Sequence, residues 1–187
     1  MSFLSEALNA LYGSYRLARM DVGGLAYFKV SEEGFWNSFK AAVVVFPLFI
    51  LLMAVRYGVD DIAASPGRYF SIQFIAYVTG WVALPVVMIW VCQRFERTHY
   101  YVRFIIGYNW AAVLQNALYM PIAILSITGM LDGSGGFIVL VAMMAIVIYT
   151  WFIAKTALDI PGPAAAGVVF LDFLLSFTIN MYAETLI

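Results

Sequence analysis

Charge is scarce in this chain. Only 11% of its 187 residues are Asp, Glu, Lys or Arg, where a soluble domain carries about 25%. That leaves too little polar surface to cover a water-facing globule, so lipid is the expected solvent and no nucleic-acid partner is expected. Cysteine is nearly absent. Cys92 stands alone and can form neither an internal disulfide nor a zinc site. Histidine is equally rare: His99 by itself excludes a bis-histidine haem and most multi-histidine metal sites. Catalytic signatures are missing too, with no H-E-x-x-H, no G-x-S-x-G and no phosphate-binding glycine loop. Glu32-Glu33 is similar to the acidic pair of some membrane proteases, but no histidine lies in an apolar run to complete such a site. Both read as helix-start charges. A non-enzyme without cofactor or metal is the expectation. The first twenty residues have no basic start and no unbroken apolar stretch, so they do not read as a cleaved signal peptide.

What is abundant is apolar sequence, 64% of the chain. Five runs, at about 35–56, 69–93, 101–129, 136–158 and 163–185, each reach the roughly 20 residues that cross a hydrocarbon layer. Asp60-Asp61 with Pro66-Gly67, the stretch Arg94 to Tyr100, Asp132 to Gly136, and Asp159 to Pro163 separate them. The expected fold class is all-α: a polytopic membrane helix bundle of five transmembrane helices over residues 35–187, preceded by an N-terminal amphipathic segment over 1–34. In that segment Phe3, Leu4, Ala7, Leu8, Leu11, Tyr12 and Tyr15 recur at helical spacing. Ser5, Glu6, Asn9, Ser14 and Arg16 take the other face. Such a helix either lies in the headgroup plane or packs on the rest of the protein. Gly23-Gly24 ends it. Ser31 then caps a new helix whose first turn carries Glu32 and Glu33 at the positive end of the dipole.

The cations fix an orientation. With the N-terminus in the cytoplasm, Arg16, Arg19, Lys29, Lys40, Arg94, Arg97, Arg103 and Lys155 lie inside, and only Arg56 and Arg68 lie outside. Eight of the ten basic residues then obey the positive-inside rule across short loops. The expectation is N-in and C-out, in a bacterial inner membrane.

One carboxylate sits deep in a run. Asp172 lies about ten residues from either end of the fifth, where insertion costs roughly 2.5–3.5 kcal/mol. It should therefore face protein or trapped water. Asp172, Ser176, Asn180 and Glu184 recur every four residues, which keeps them adjacent on a helix with a drift of about 40° per step. They form a polar stripe from mid-membrane toward the outer face. The third run offers a matching surface: Asn109 and Asn116 are seven apart, with Ala112 and Ala123 beside them, while Gln115 points elsewhere. Gln73 and Tyr77 on the second run are further candidates. In one reading Asp172 takes up a proton or a cation along the stripe. In the other, a protonated Asp172 hydrogen-bonds Asn116 or a backbone carbonyl and pins the helices.

Arg94, Arg97 and Arg103, with His99, Tyr100 and Tyr101, form a basic, aromatic cluster. It suits anionic lipid headgroups or an acidic partner, and it equally serves as topology-setting charge with an aromatic belt. Trp90, Trp110 and Trp151 read as anchors or packing. Pro47, Pro85 and Pro121 interrupt the first three runs and favour kinks. Ala76-x-x-x-Gly80 offers a close-packing surface.

The third run contains Gly107-Tyr108-Asn109-Trp110 and then Tyr119-Met120-Pro121-Ile122-Ala123-Ile124-Leu125. These stretches resemble the Yip domain family, whose third span often starts Gly-Tyr-polar and continues Tyr-x-Pro-Ile. The resemblance covers roughly residues 28–185 and implies five spans with short loops and a cytosolic N-terminus. Eukaryotic members bind Rab GTPases in membrane traffic. Their Asp-Leu-Tyr-Gly-Pro motif is missing here, so the resemblance is to bacterial-type members, and no catalytic residue carries over. The resulting expectation is a non-catalytic role in membrane organisation or partner binding. The bilayer would be its main partner, with a homo-oligomer or other membrane proteins possible. The alternative is a small proton- or cation-coupled transporter or channel centred on Asp172.

Overall fold

A computed structural model describes residues 3–187, apart from the side chains of Phe3 and Asp132. Met1 and Ser2 fall outside the described residues, as does the place of Phe3 in the expected apolar stripe. Among the described residues the regular structure is all helical: α1 Phe3–Ala18, a 3-10 segment Val22–Tyr27, α2 Glu32–Ser38, α3 Lys40–Val59, α4 Pro66–Arg94, α5 Thr98–Ile127, a 3-10 turn Asp132–Ser134, α6 Gly135–Ala157 and α7 Gly162–Thr185. Five stretches are long and apolar enough to span a membrane, the first being α2 and α3 together. The protein is an integral, multi-pass membrane protein.

Helix starts follow local chemistry. The Ser31 hydroxyl accepts from the Gly34 amide at 3.0 Å, with Glu32 and Glu33 in the first turn, as the sequence implies. The first expected span is not one helix, however. Ser38 Oγ donates to the Phe35 carbonyl at 2.6 Å, and the Phe39 amide bonds Trp36 one residue short of the α-helical partner. A short polar side chain competing for backbone groups breaks the ladder there. Helix α3 alone keeps 20 residues, about 30 Å at 1.5 Å per residue, just the thickness of the hydrocarbon layer. Pro47, Pro85 and Pro121 all lie inside helices that continue past them.

Helix α5 is the axis of the bundle. It packs against α3, α4 and α6 and against α1 and α2, while α7 packs between α4 and α6. The core therefore centres on α5, where Phe104, Ile105, Ile106, Trp110 and Ala111 are buried. Large apolar side chains elsewhere point outward, among them Val43, Leu51, Ile75, Trp90, Phe137 and Phe170. Exposing that much apolar surface to water would be costly at about 25 cal/mol per Å²; against lipid the cost vanishes. At one end Arg68 Nε donates to the Leu186 carbonyl at 2.9 Å, joining the start of α4 to the end of α7.

The N-terminal segment departs from the expected stripe. Helix α1 turns Glu6, Ala7, Ala10, Ser14 and Leu17 inward, whereas Leu4, Leu8, Tyr12 and Tyr15 are exposed. Small side chains win the inner face because they allow close approach. Gly13 and Gly24 lie in near backbone contact, and a β-carbon on Gly13 would come within 2.7 Å of the Gly24 carbonyl oxygen. The expected polar face is thus partly the buried one. Glu6 accepts from Asn37 Nδ2 at 3.1 and 3.2 Å and lies 3.6 Å from Lys29 Nζ. The Ser14 carbonyl accepts from Tyr149 on α6 at 2.7 Å.

Candidate ligand-binding cleft

The four-residue repeat of α7 aims Asp172, Ser176 and Asn180 into a single cleft. Its other walls are Gln73, Ala76, Tyr77, Gly80 and Trp81 from α4, Tyr108, Ala112, Gln115 and Asn116 from α5, and Phe49 from α3. The cavity holds about 320 Å³. From Asp172 to Asn180 it follows α7 for about 12 Å. The cleft exists because α7 rests on α4 and α6 rather than directly along α5. Polar side chains fill the gap where apolar packing would otherwise close. Ala76 and Gly80, the small pair on α4, line this cleft.

Asp172 is half-buried. Its Oδ1 accepts from the Tyr108 hydroxyl at 2.8 Å, a bond that bridges α5 and α7. The expected partner, Asn116, does not fill that role: its Nδ2 donates to the Ala112 carbonyl of its own helix at 2.7 Å. Gln115 lines the cleft but donates to Thr150 on α6 at 3.0 Å. Asn180 donates to the Ser176 carbonyl at 2.8 Å, and Tyr77 donates to the Ala42 carbonyl of α3 at 2.6 Å. Each of these groups commits a donor to the protein, and amide and carboxylate oxygens remain the chemistry natural to the cavity. The aromatic side is continuous. Phe49 stacks on Tyr77 with ring centroids 4.3 Å apart, and Tyr77 meets Trp81 edge-on at 6.1 Å. No Lys, Arg or His is among the lining residues.

Asn109 lies elsewhere. It is fully buried and donates to Ser38 Oγ at 2.9 Å, at the break between α2 and α3. Seven-residue spacing does put Asn109 and Asn116 on one face of α5. That face meets α2 and α3 at one level and the cleft at another, so a shared face does not mean a shared site. Glu184 is not part of the lining.

The basic cluster also divides. Arg103 Nε donates to the Ala157 carbonyl at 2.9 Å and Nη2 to Thr156 at 3.4 Å, so it caps the C-terminal end of α6, where the dipole favours a cation. It also lies 4.4 Å above the Tyr100 ring. Arg97 sits 5.9 Å from the same ring, while Arg94 is exposed. Outside the spans, the hydrogen bond from Arg16 holds the Asp21 carboxyl below its ordinary pKa.

Sequence reasoning found four of the lining polar groups on α5 and α7, Asp172, Ser176, Asn180 and Asn116, with Gln73 and Tyr77 as further candidates. It missed Tyr108 as the partner of Asp172. The signal was present: Tyr108, Ala112 and Asn116 recur every four residues, matching the stripe on α7. No family model, curated protein or solved structure matches the chain.

Proposed function

We propose that this is an integral membrane protein of the Yip type that acts by reversible binding rather than covalent chemistry, with the cleft at Asp172 as its working part. The cleft takes up a proton or a small cation and lets the protein couple that uptake to transport. One observation carries this reading: a carboxylate within a membrane span lines a cavity of about 320 Å³ that has no cationic side chain in its lining. An intramembrane acid is a functional site by default, and a cavity at the lower end of the roughly 300–1,000 Å³ range of small-molecule sites gives it a ligand-sized volume. Purified protein in liposomes loaded with a pH-sensitive dye tests it. An imposed cation gradient should drive a change of internal pH that Asp172→Asn abolishes while the protein stays folded. No flux from folded wild-type protein would refute transport.

A second reading has its own support. The Tyr108–Asp172 bond ties two helices, as a purely structural pin would, and the exposed Leu4, Leu8, Tyr12 and Tyr15 of α1 present an apolar strip to lipid or to a neighbouring membrane protein. Under that reading the role is membrane organisation through partner binding, and Asp172→Asn changes stability alone. In either case the charge asymmetry supports an inner-membrane orientation with the N-terminus in the cytoplasm. A periplasm-dependent reporter joined to the C-terminus should be active, and an inactive reporter on a well-expressed fusion would reverse the orientation.

A further inference from the structure

The lining of the cleft is chemically mixed. Helices α7 and α5 contribute Asp172, Ser176, Asn180 and Asn116; α3 and α4 contribute the rings Phe49, Tyr77 and Trp81 beside the amide of Gln73. A bare alkali cation needs oxygens gathered close around it to replace its water, and here the polar groups are strung along about 12 Å of helix. An anion would find no cationic side chain in the lining. A neutral apolar molecule would make no use of the carboxylate and amide oxygens that line the cleft beside its rings. An organic ammonium group satisfies both sides at once. Its charge meets the carboxylate, and its alkyl shell lies on aromatic faces, where a cation within about 6 Å of a ring is attracted by the quadrupole, tryptophan being the strongest partner.

We propose that the cleft is a binding site for a small organic ammonium cation, held between the Asp172 carboxylate and the aromatic wall of Phe49, Tyr77 and Trp81. This rests on the reading of the cleft as a ligand site and names the class of ligand. Tyr108 is a positioning residue: its hydroxyl, 2.8 Å from Oδ1, ties the carboxylate to α5. Gly80 precedes Trp81 in the lining, and a β-carbon there would meet no other helix within 4 Å.

Choline is the probe, and its uncharged carbon isostere dimethylbutanol is the control. Binding of each to the full chain in lipid nanodiscs is measured by titration calorimetry. Choline should bind at least tenfold more tightly than dimethylbutanol. Asp172→Asn should weaken choline at least tenfold and leave dimethylbutanol unchanged. Trp81→Leu should weaken choline about fivefold, a typical loss for one cation–π contact. Since Trp81 also packs in the bundle, Phe49→Leu serves as a second aromatic variant, each accepted only with wild-type helicity and elution volume. Equal affinity for the two probes, or choline affinity indifferent to Asp172→Asn, overturns the proposal. If choline fails to bind while Asp172-dependent proton or sodium flux persists in liposomes, the ligand class is wrong and the transport reading survives. If neither binding nor flux occurs, both fall together.

Discussion

Two acids in this protein have opposite surroundings. Glu6 on α1 is 6% exposed and receives the Asn37 amide with the Lys29 ammonium nearby. Asp172 on α7 is half-buried in the span, receives one phenol, and lines a cavity without a cation. The first has its partners supplied by the fold, an amide and an ammonium. The second has one phenol as partner and borders open space. Two acids of one chain thus differ less in burial than in how far the fold alone supplies their partners.

The sharpest way to break the contrast is to remove each acid and measure stability. Glu6→Ala strips Asn37 of its acceptor, while Lys29 keeps Glu33 as counter-ion, and should lower unfolding stability by about 2 kcal/mol, as for hydrogen bonds to a charged group. Asp172→Asn should stay within about 0.5 kcal/mol, because no protein cation in the lining loses a partner and an amide can still accept from Tyr108. Chemical unfolding in mixed micelles compares the two. A larger loss at position 172 than at position 6 would make Asp172 the structural acid. Next, Tyr108→Phe removes one hydrogen bond between α5 and α7. It should cost about 1 kcal/mol, within the range for interhelical bonds in membranes. A change too small to resolve would mean the bond serves position alone.

The smallest effect is expected in acid. The Asp21 carboxyl is held below its ordinary pKa by Arg16. A folded pKa below the unfolded one adds stability above the usual carboxylate range, about pH 4, and that stability is lost as pH falls through the lowered value. The protection factors of amides around Asp21, corrected for the slower intrinsic exchange in acid, should therefore fall before those of α5. The carboxyl is a surface group, so the change should be slight. Equal protection in both regions down to pH 3 would remove this contact from the stability of the segment.

How much of this was legible in the sequence differs by element. Four of the five expected spans match α4, α5, α6 and α7 to within three residues at each end, because hydropathy and Pro-Gly punctuation are local. The break at Phe39 was not legible, since it depends on Ser38 bonding back to Phe35 and receiving Asn109 from a helix 71 residues away in sequence. The inner face of α1 was not legible for a related reason. The apolar stripe with Leu4 and Leu8 left lipid and protein open as its neighbour; in the folded chain those leucines face out, and small Ala7, Ala10 and Ser14 make the tighter contact. The α7 side of the cleft was readable from a four-residue repeat. Of its rings, Tyr77 was a candidate by its depth in the second run, but Phe49 and Trp81 were not legible, because they look like any other lipid-facing rings until the helices are packed.

Gly80 has a practical consequence. The sole native thiol, Cys92, is 2% exposed, so the wild-type chain should be almost blind to maleimide reagents. Gly80→Cys would install one reactive sulfur on the cavity wall, at a point with open space around it. Its labelling rate, with reagents of graded size added from either face of a sealed vesicle, would report how wide the entrance is and which compartment it opens to.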